Sequence, residues 1–467
     1  MKETEEKKGK NDLKLIGFAV FAVLLASIPA AWNWVDLQKK PLEGTKRQFD
    51  ASLDFVKTIA TIAGGVVLFL NFRVANRSAE LAQKKLEQET EKAKADAKLA
   101  EVRLTMERFS KAVDMMGSDK SIHLRLGGIY ALESIALDSS DDKIDENYRQ
   151  VLEVLTAFVR ENSPYPPRKQ PEKESTIPSQ PIEQPTVEVG EQHEDIPPLQ
   201  TDIQAALTVL SRRKHKETDW EHYPIDLRKA DLRRAFLREA NLQQAFLREA
   251  NLQQTDLMQA NLQGANLSNA KLQEANLSNT KLQSANLSET YLQGTMFYRA
   301  NLQWVSLSNA KLQDADLVQA NLQEAQLFRA DLQKAKLYQA TLQKAVFLQT
   351  NLQEADLREA DLSEACLQYA NLSKANLQYA NLSKVEIQRV ILLCTDLRNT
   401  QNFTQECVEG EKPPLLCNVA LPKGCKVNPN RDCDRLPQEL VKRYPDQFLS
   451  LEEAKQYVDE QKQKKWE

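Results

Sequence analysis

Six cysteines and four histidines are the side chains of this 467-residue chain best able to hold a metal or exchange electrons. Cys407, Cys417, Cys425 and Cys433 are separated by 10, 8 and 8 residues, with Cys394 close by. Four thiolates can make a tetrahedral zinc set, but structural zinc sites usually begin from a close Cys-x-x-Cys pair, and the chain has none. In a cytosolic chain the expectation is reduced structural thiols; two disulfides would require an oxidising compartment. A metal- or redox-responsive sensor built on this tail is therefore the alternative function. His123, His193, His215 and His222 are scattered, and neither a Gly-rich phosphate loop nor a His-Glu-x-x-His motif occurs. Acidic pairs such as Asp314 and Asp316 recur as pattern residues, not as the two walls of a cleft. The reading is a non-enzyme that needs no cofactor.

Binding chemistry is the other possibility, and it depends on how the residues between 225 and 400 are arranged. From Leu227 to Leu397 every fifth residue is Leu, with Phe297, Phe347 and Ile387 the only departures. Two residues before each centre stands something small, mostly Ala, and the residue between is mostly Asn, Asp or Lys. A period of five fits neither standard element. On a helix at about 100° per residue the leucines would spiral round the axis, and on a straight strand they would alternate faces. The chain must run extended for about three residues, bend and repeat, winding into a solenoid filled by its own side chains. Leu242, Leu262, Leu282, Phe297, Leu302, Leu322 and Phe347 are then core.

The pattern Ala-(Asn/Asp)-Leu-x-x, as in ANLQQAFLREANLQQTDLMQANLQGANLSNAKLQEANLSNTKLQ at 240–283, resembles the pentapeptide repeat family. The resemblance implies a mainly β repeat solenoid, a right-handed quadrilateral β-helix with one pentapeptide on each side and twenty residues per coil. On that frame Gln243 through Gln343, in steps of twenty, stack on one face, and Gln253 through Gln353 on the opposite one. Stacked amides can hydrogen-bond along the axis. Tyr298, Val318 and Tyr338 fall in one vertical stripe; Phe328 and Leu348 fall in a shorter one opposite. An apolar column rimmed by polar residues can bind a protein partner, while cross-strand stacking for stability is an equal alternative.

A well-known activity in this family, DNA mimicry against type II topoisomerases, needs a strongly acidic rod. Residues 225–400 carry 19 Lys or Arg against 18 Asp or Glu. The whole chain has a net charge of −4. Neither mimicry nor a nucleic-acid partner is supported.

The rest of the chain supplies the setting. A basic segment, 1–14, precedes an uncharged stretch, 15–35, that reads as a transmembrane helix with Trp32 and Trp34 as interfacial aromatics; a signal peptide cleaved after the small residues Ala30 and Ala31 is the alternative. A second apolar stretch, 53–72, is interrupted by Lys57 and reads as a second transmembrane helix, with a surface-lying amphipathic or core helix the alternative; the flanking charges do not orient the pair. Residues 78–109 have a helix-forming composition and predict a stalk; a homo-oligomer is possible there, though the leucines are too irregular for a clear coiled coil. Residues 107–162 read as a helical module resembling the one that precedes the repeats in membrane-anchored family members. In it Gly127-Gly128 serves either close helix packing or an anion at a helix start. A Pro-rich linker (163–198), a capping segment (199–224), the repeats (225–400) and a Cys-containing cap (401–467) with a helix over 450–464 complete the order. The expected location is the inner or plasma membrane with the repeats on the cytoplasmic side. The expected function is a protein-interaction scaffold.

Overall fold

The computed structural model describes residues 45–137, 144–166, 196–212 and 224–466, with Phe18, Phe21, Ala22, Leu25, Ile28 and Pro29. The basic segment 1–14, most of the 15–35 stretch, residues 167–195 of the linker, and 213–223 of the capping segment lie outside the described residues, and so do His193, His215 and His222. The chain divides into two compact units, Met1–Leu104 and Thr105–Glu467.

The described part of the first unit is dominated by helix α1, Thr45–Met116. The 53–72 stretch, the stalk and the opening of the helical module are one uninterrupted helix, because no Pro or other breaker stands between Phe72 and Gly117. Its N-terminal part is the one described helix long and apolar enough to cross a membrane, and none of its apolar window is buried among the described residues. Val67, Leu68, Phe69 and Phe72 are exposed.

In the second unit the end of α1 packs with α2 (Ile122–Leu137), α3 (Ile144–Asn162) and α4 (Thr201–Ser211). Ala112, Met116, Ile129, Leu132, Leu155 and Val159 are buried together with Ile203 and Leu207 of α4. A Cβ on Gly128 would stand 2.5 Å from the Ala112 carbonyl oxygen and 2.6 Å from the Met116 nitrogen. Gly128 therefore serves close helix packing.

From Asp226 on, parallel bridges join residues twenty apart, Asp226 to Phe246, Asp231 to Asn251, and so on to Asn381 and Gln401. Each repeat is extended through its small residue and its centre, then turns. In the repeat centred on Leu242, Leu242 N–H donates to Asn261 O at 2.8 Å and Gln244 N–H to Gln263 O at 2.9 Å in the next coil. Ala245 N–H closes the turn on Leu242 O at 3.1 Å. The second residue after each centre from Leu227 to Leu392 sits at a positive φ near +57°, as at Lys229 and Gln254, the conformation a type II turn demands at its third position. Glycine holds that position only at Gly264 and Gly294; elsewhere an L-residue accepts a cost of about 1 kcal/mol.

The turn also explains the Asn and Asp before each centre. The residue after the centre points its N–H away from the neighbouring coils, and the Asn or Asp side chain accepts it. Asn266 takes Ser268 N–H at 3.1 Å, Asp316 takes Val318 N–H at 3.1 Å and Asn371 takes Ser373 N–H at 3.0 Å. Where Thr replaces the small residue, its buried hydroxyl donates to a carbonyl, as Thr255 does to Leu232 at 2.9 Å.

Both open ends of the coil are covered. At the start, the Gln204 side chain of α4 donates to Phe236 O at 2.8 Å and accepts Phe236 N–H at 2.9 Å. Ser163 and Tyr165 pair with the backbone of Lys229 and Asp231, so the linker begins later than its proline content implies: Pro164 is bridged to Ala230. Asp226 joins the module to the first coil through Arg160 and also accepts three bonds from Arg228, two from its guanidinium at 2.9 and 2.8 Å and one from its backbone N–H at 3.2 Å. Burial alone would raise its carboxyl, but the Arg228 hydrogen bonds and the Arg160 charge hold it below the ordinary 3.8.

At the far end, β1 (Ile391–Leu393) pairs in parallel with β2 (Leu415–Cys417), and Asp396 with Ala420. This last coil is four residues longer than the others, and its backbone pairing carries on past the repeats, through the start of the cap, to Ala420. The extra length carries the short helix α5, Gln405–Val408. Helices α6 (Leu436–Arg443) and α7 (Leu451–Lys462) close over it. Ser450 caps α7 by accepting Glu453 N–H at 3.1 Å.

Candidate functional site

The repeat core occupies the interior: Leu242, Leu262, Leu282, Phe297, Leu302, Leu322 and Phe347 are all buried. The side chains immediately before and after each centre face outward, so the surface of each side is written by two columns stepping by twenty residues.

One side carries the longer apolar column. Asn279 N–H to Tyr298 O, Arg299 N–H to Val318 O, Gln319 N–H to Tyr338 O and Gln339 N–H to Arg358 O, all at 2.8–3.0 Å, stack Tyr298, Val318 and Tyr338 directly above one another. Met258 lies two coils below Tyr298, and Met296 stands beside it on the same pentapeptide. Tyr298 is 37% exposed and Met296 42%, whereas Val318 and Tyr338 are half-buried. A polar ladder borders the column. Arg299 donates to Gln319 at 2.7 Å, Gln319 to Gln339 at 2.8 Å and Gln339 to Glu359 at 2.8 Å. Arg299 also lies 5.1 Å from the Tyr298 ring centre, and Arg358 5.5 Å from that of Tyr338. Part of each aromatic face is thus already used within the rod.

The opposite side brings Phe328 and Leu348 together in the same way, with Val346 and Cys366 in the adjoining column. Arg329 lies 4.9 Å from the Phe328 ring centre and donates to Gln349 at 2.7 Å. The glutamine columns make fewer amide-to-amide bonds than stacking alone predicts. Gln303 donates to Gln323 at 3.1 Å, but Gln313 and Gln343 instead reach Asp331 and Asp361, each at 2.6 Å.

Met258, Met296, Trp304 and Tyr379 were not anticipated from the stripe. Trp304 and Tyr379, 52% and 56% exposed, occupy the left-handed turn position. Met258 lies on the Tyr298 column two steps of twenty below it, beyond Ser278, whereas Met296, Trp304 and Tyr379 have polar residues one step to either side and are found only by the outward-facing position each occupies.

Among the described residues the tail cysteines are not gathered into one cluster. Cys417 and Cys433 are joined in a disulfide with Cα atoms 4.8 Å apart, which removes two of the four proposed thiolates and corrects the expectation of reduced thiols there. Cys407 and Cys425 are free thiols, as are Cys366 and Cys394. Among the described residues no three His, Cys, Asp or Glu side chains converge as metal ligands.

The pentapeptide repeats family matches this chain in 8 copies, over residues 225–264, 260–297, 300–337, 330–368 and 365–401. Residues 225–401 are pentapeptide repeats. They form the right-handed quadrilateral β-helix of that family.

Among solved structures, the chain is similar to HetL, a pentapeptide repeat protein involved in heterocyst differentiation regulation from the cyanobacterium Nostoc sp. strain PCC 7120. The identity is 29% over 41% of this chain and 83% of HetL, with a TM-score of 0.37. A pentapeptide repeat protein of the Arabidopsis thaliana thylakoid lumen is 27% identical over 23% of this chain and 72% of its own, with a TM-score of 0.15. Full-length QnrB1, a plasmid-mediated fluoroquinolone resistance protein, is 15% identical over 37% of this chain and 85% of its own, with a TM-score of 0.25. No curated protein matches the sequence.

Proposed function

We propose that this pentapeptide repeat protein is a non-enzymatic, membrane-anchored scaffold that binds a protein partner along the Tyr298–Val318–Tyr338 column. The observation that carries this reading is the column itself. A side that is mostly polar and charged, apart from Phe236 at its start, places Met258, Tyr298, Val318 and Tyr338 in one column with Met296 beside Tyr298, bordered by a polar ladder. Aromatic and methionine side chains with a polar rim are the composition of binding hot spots. The rod contributes rigidity, so little ordering cost falls on association. Phe328 and Leu348 would form a secondary contact.

Anchoring rests on the exposed apolar part of α1 and on the uncharged 15–35 stretch. DNA mimicry is disfavoured by the near-neutral repeats, and the disulfide disfavours a metal-sensing tail.

The test is a cross-linked pull-down from membranes that compares wild type with Tyr298→Ser/Val318→Ser/Tyr338→Ser. A partner captured by wild type and lost by the variant, with unfolding curves unchanged, is the expected result. Identical partner lists would return the column to a purely structural role.

A further inference from the structure

We propose that Cys407 and Cys425 are a second disulfide-forming pair, and that the C-terminal cap matures in an oxidising compartment, away from the cytosol. Cys407 lies on α5 and Cys425 on the loop that crosses it. Lys426 N–H donates to the Gln405 side-chain oxygen at 2.7 Å, which fixes the neighbour of Cys425 to the same helical turn that carries Cys407. Cys407, Leu421 and Val427 pack against the same apolar core. Both thiols are half-exposed, open to an exchange reagent. Burial pushes the Cys425 thiol up, and the nearby Cys407 and Glu409 charges push it further.

The neighbouring bridge already argues for the compartment. Cys417–Cys433 is buried, joins β2 to the turn before α6 and fixes the strand that completes the last coil. A buried structural disulfide of this kind persists where thiols are not continuously reduced. The chain order Cys407, Cys417, Cys425, Cys433 would make the two bridges interleave, so neither loop could open fully while the other stayed closed. Cys366 and Cys394 stand outside this arrangement. Cys366 faces outward on the rod, and Cys394 is 3% exposed beside the existing bridge.

The oxidation is a thiol–disulfide exchange with a disulfide-bearing oxidant of that compartment. The Cys425 or Cys407 thiolate attacks the oxidant's disulfide and releases one thiol. The second cysteine then attacks the mixed disulfide and releases the other. Two S–H bonds are lost and one S–S bond forms, and the two electrons and two protons leave on the oxidant as a pair of thiols.

The test uses the full chain in intact cells, quenched with N-ethylmaleimide before lysis, denatured in its continued presence so that buried free thiols are labelled too, and mapped by mass spectrometry before and after reduction. The expected result is label on Cys366 and Cys394 alone, with the other four reactive only after reduction. Label on Cys407 and Cys425 with Cys417 and Cys433 protected would overturn the second pair. Label on every cysteine without reduction would overturn the oxidising compartment too. Cys407→Ser gives an independent reading: it should expose Cys425 and increase the labelled sites, whereas a decrease would mean that Cys407 was already free.

Discussion

Gly128 faces the Ala112 carbonyl so closely that a methyl group at its Cα would lie 2.5 Å from that oxygen. Its neighbour Gly127 would meet only the flexible Met115 Cε, at 2.9 Å. Gly128→Ala must therefore push two backbones apart, at a net cost of about 2 kcal/mol after the helix-propensity gain. Gly127→Ala should be neutral or stabilising by up to about 1 kcal/mol. Hydrogen exchange of the 105–137 peptides separates the two: only Gly128→Ala should lose protection.

Phe297 and Phe347 are fully buried where the repeat otherwise uses Leu. Phe297→Ala should cost about 3–5 kcal/mol through the cavity it leaves. Phe297→Leu restores the repeat's own residue and should cost no more than about 1.5 kcal/mol. Denaturant unfolding of the pair checks the ordering, and equal losses would mean that the coil collapses around either replacement.

The side-chain caps on the turns differ in how much they matter. Asn371 is fully buried and accepts both the N–H and the hydroxyl of Ser373, at 3.0 and 2.5 Å. Asn371→Ala should cost about 1–3 kcal/mol, because no water can replace the lost acceptor. Asn276 makes the same bond to Ser278 N–H at 3.1 Å from a half-buried position, where solvent can substitute. Asn276→Ala should cost less than about 1 kcal/mol. Thermal unfolding of both variants tests the difference.

Two aspartates should respond to pH with opposite signs. Asp226 is held below its ordinary value by Arg228 and Arg160, so its contribution is present above the ordinary 3.8 and is lost as pH falls through the depressed value. Asp331 is pushed up by burial, against bonds from Gln333, Asn351 and Gln313. Its folded state favours the proton, so its contribution is largest below 3.8 and declines as pH rises through the raised value. Relative to wild type, Asp226→Asn should lose Tm mainly at neutral pH and converge with it in acid. Asp331→Asn should gain relative to wild type as pH rises. Melting curves from pH 3 to 7 decide both, and parallel curves for wild type and variant would overturn the assignment.

The rod was legible because one side-chain class recurs at one spacing, and a five-residue period leaves few geometries open. The Asn and Asp before each centre were visible too, but their role was not, since it depends on an N–H that only the turn geometry leaves unpaired. The four-residue enlargement of the last coil was hidden because α5 interrupts the pattern between Gln401 and Leu415. Cys417 and Cys433 could not be paired from sequence, because spacing alone does not say which thiols a fold brings within bonding distance. Tyr298, Val318 and Tyr338 were aligned correctly by arithmetic, yet Met258 and Met296 went unnoticed. Ser278 interrupts the first column, and the second lies one residue to the other side of the centre.

The step of twenty residues makes the length of the rod and the compass bearing of its features separately adjustable. Inserting one pentapeptide below Tyr298 would turn everything beyond it by a quarter revolution relative to the helical module. Inserting four would raise the same features by one storey and leave their bearing unchanged. A partner that must touch both the module and the column would therefore tolerate changes of length only in whole storeys.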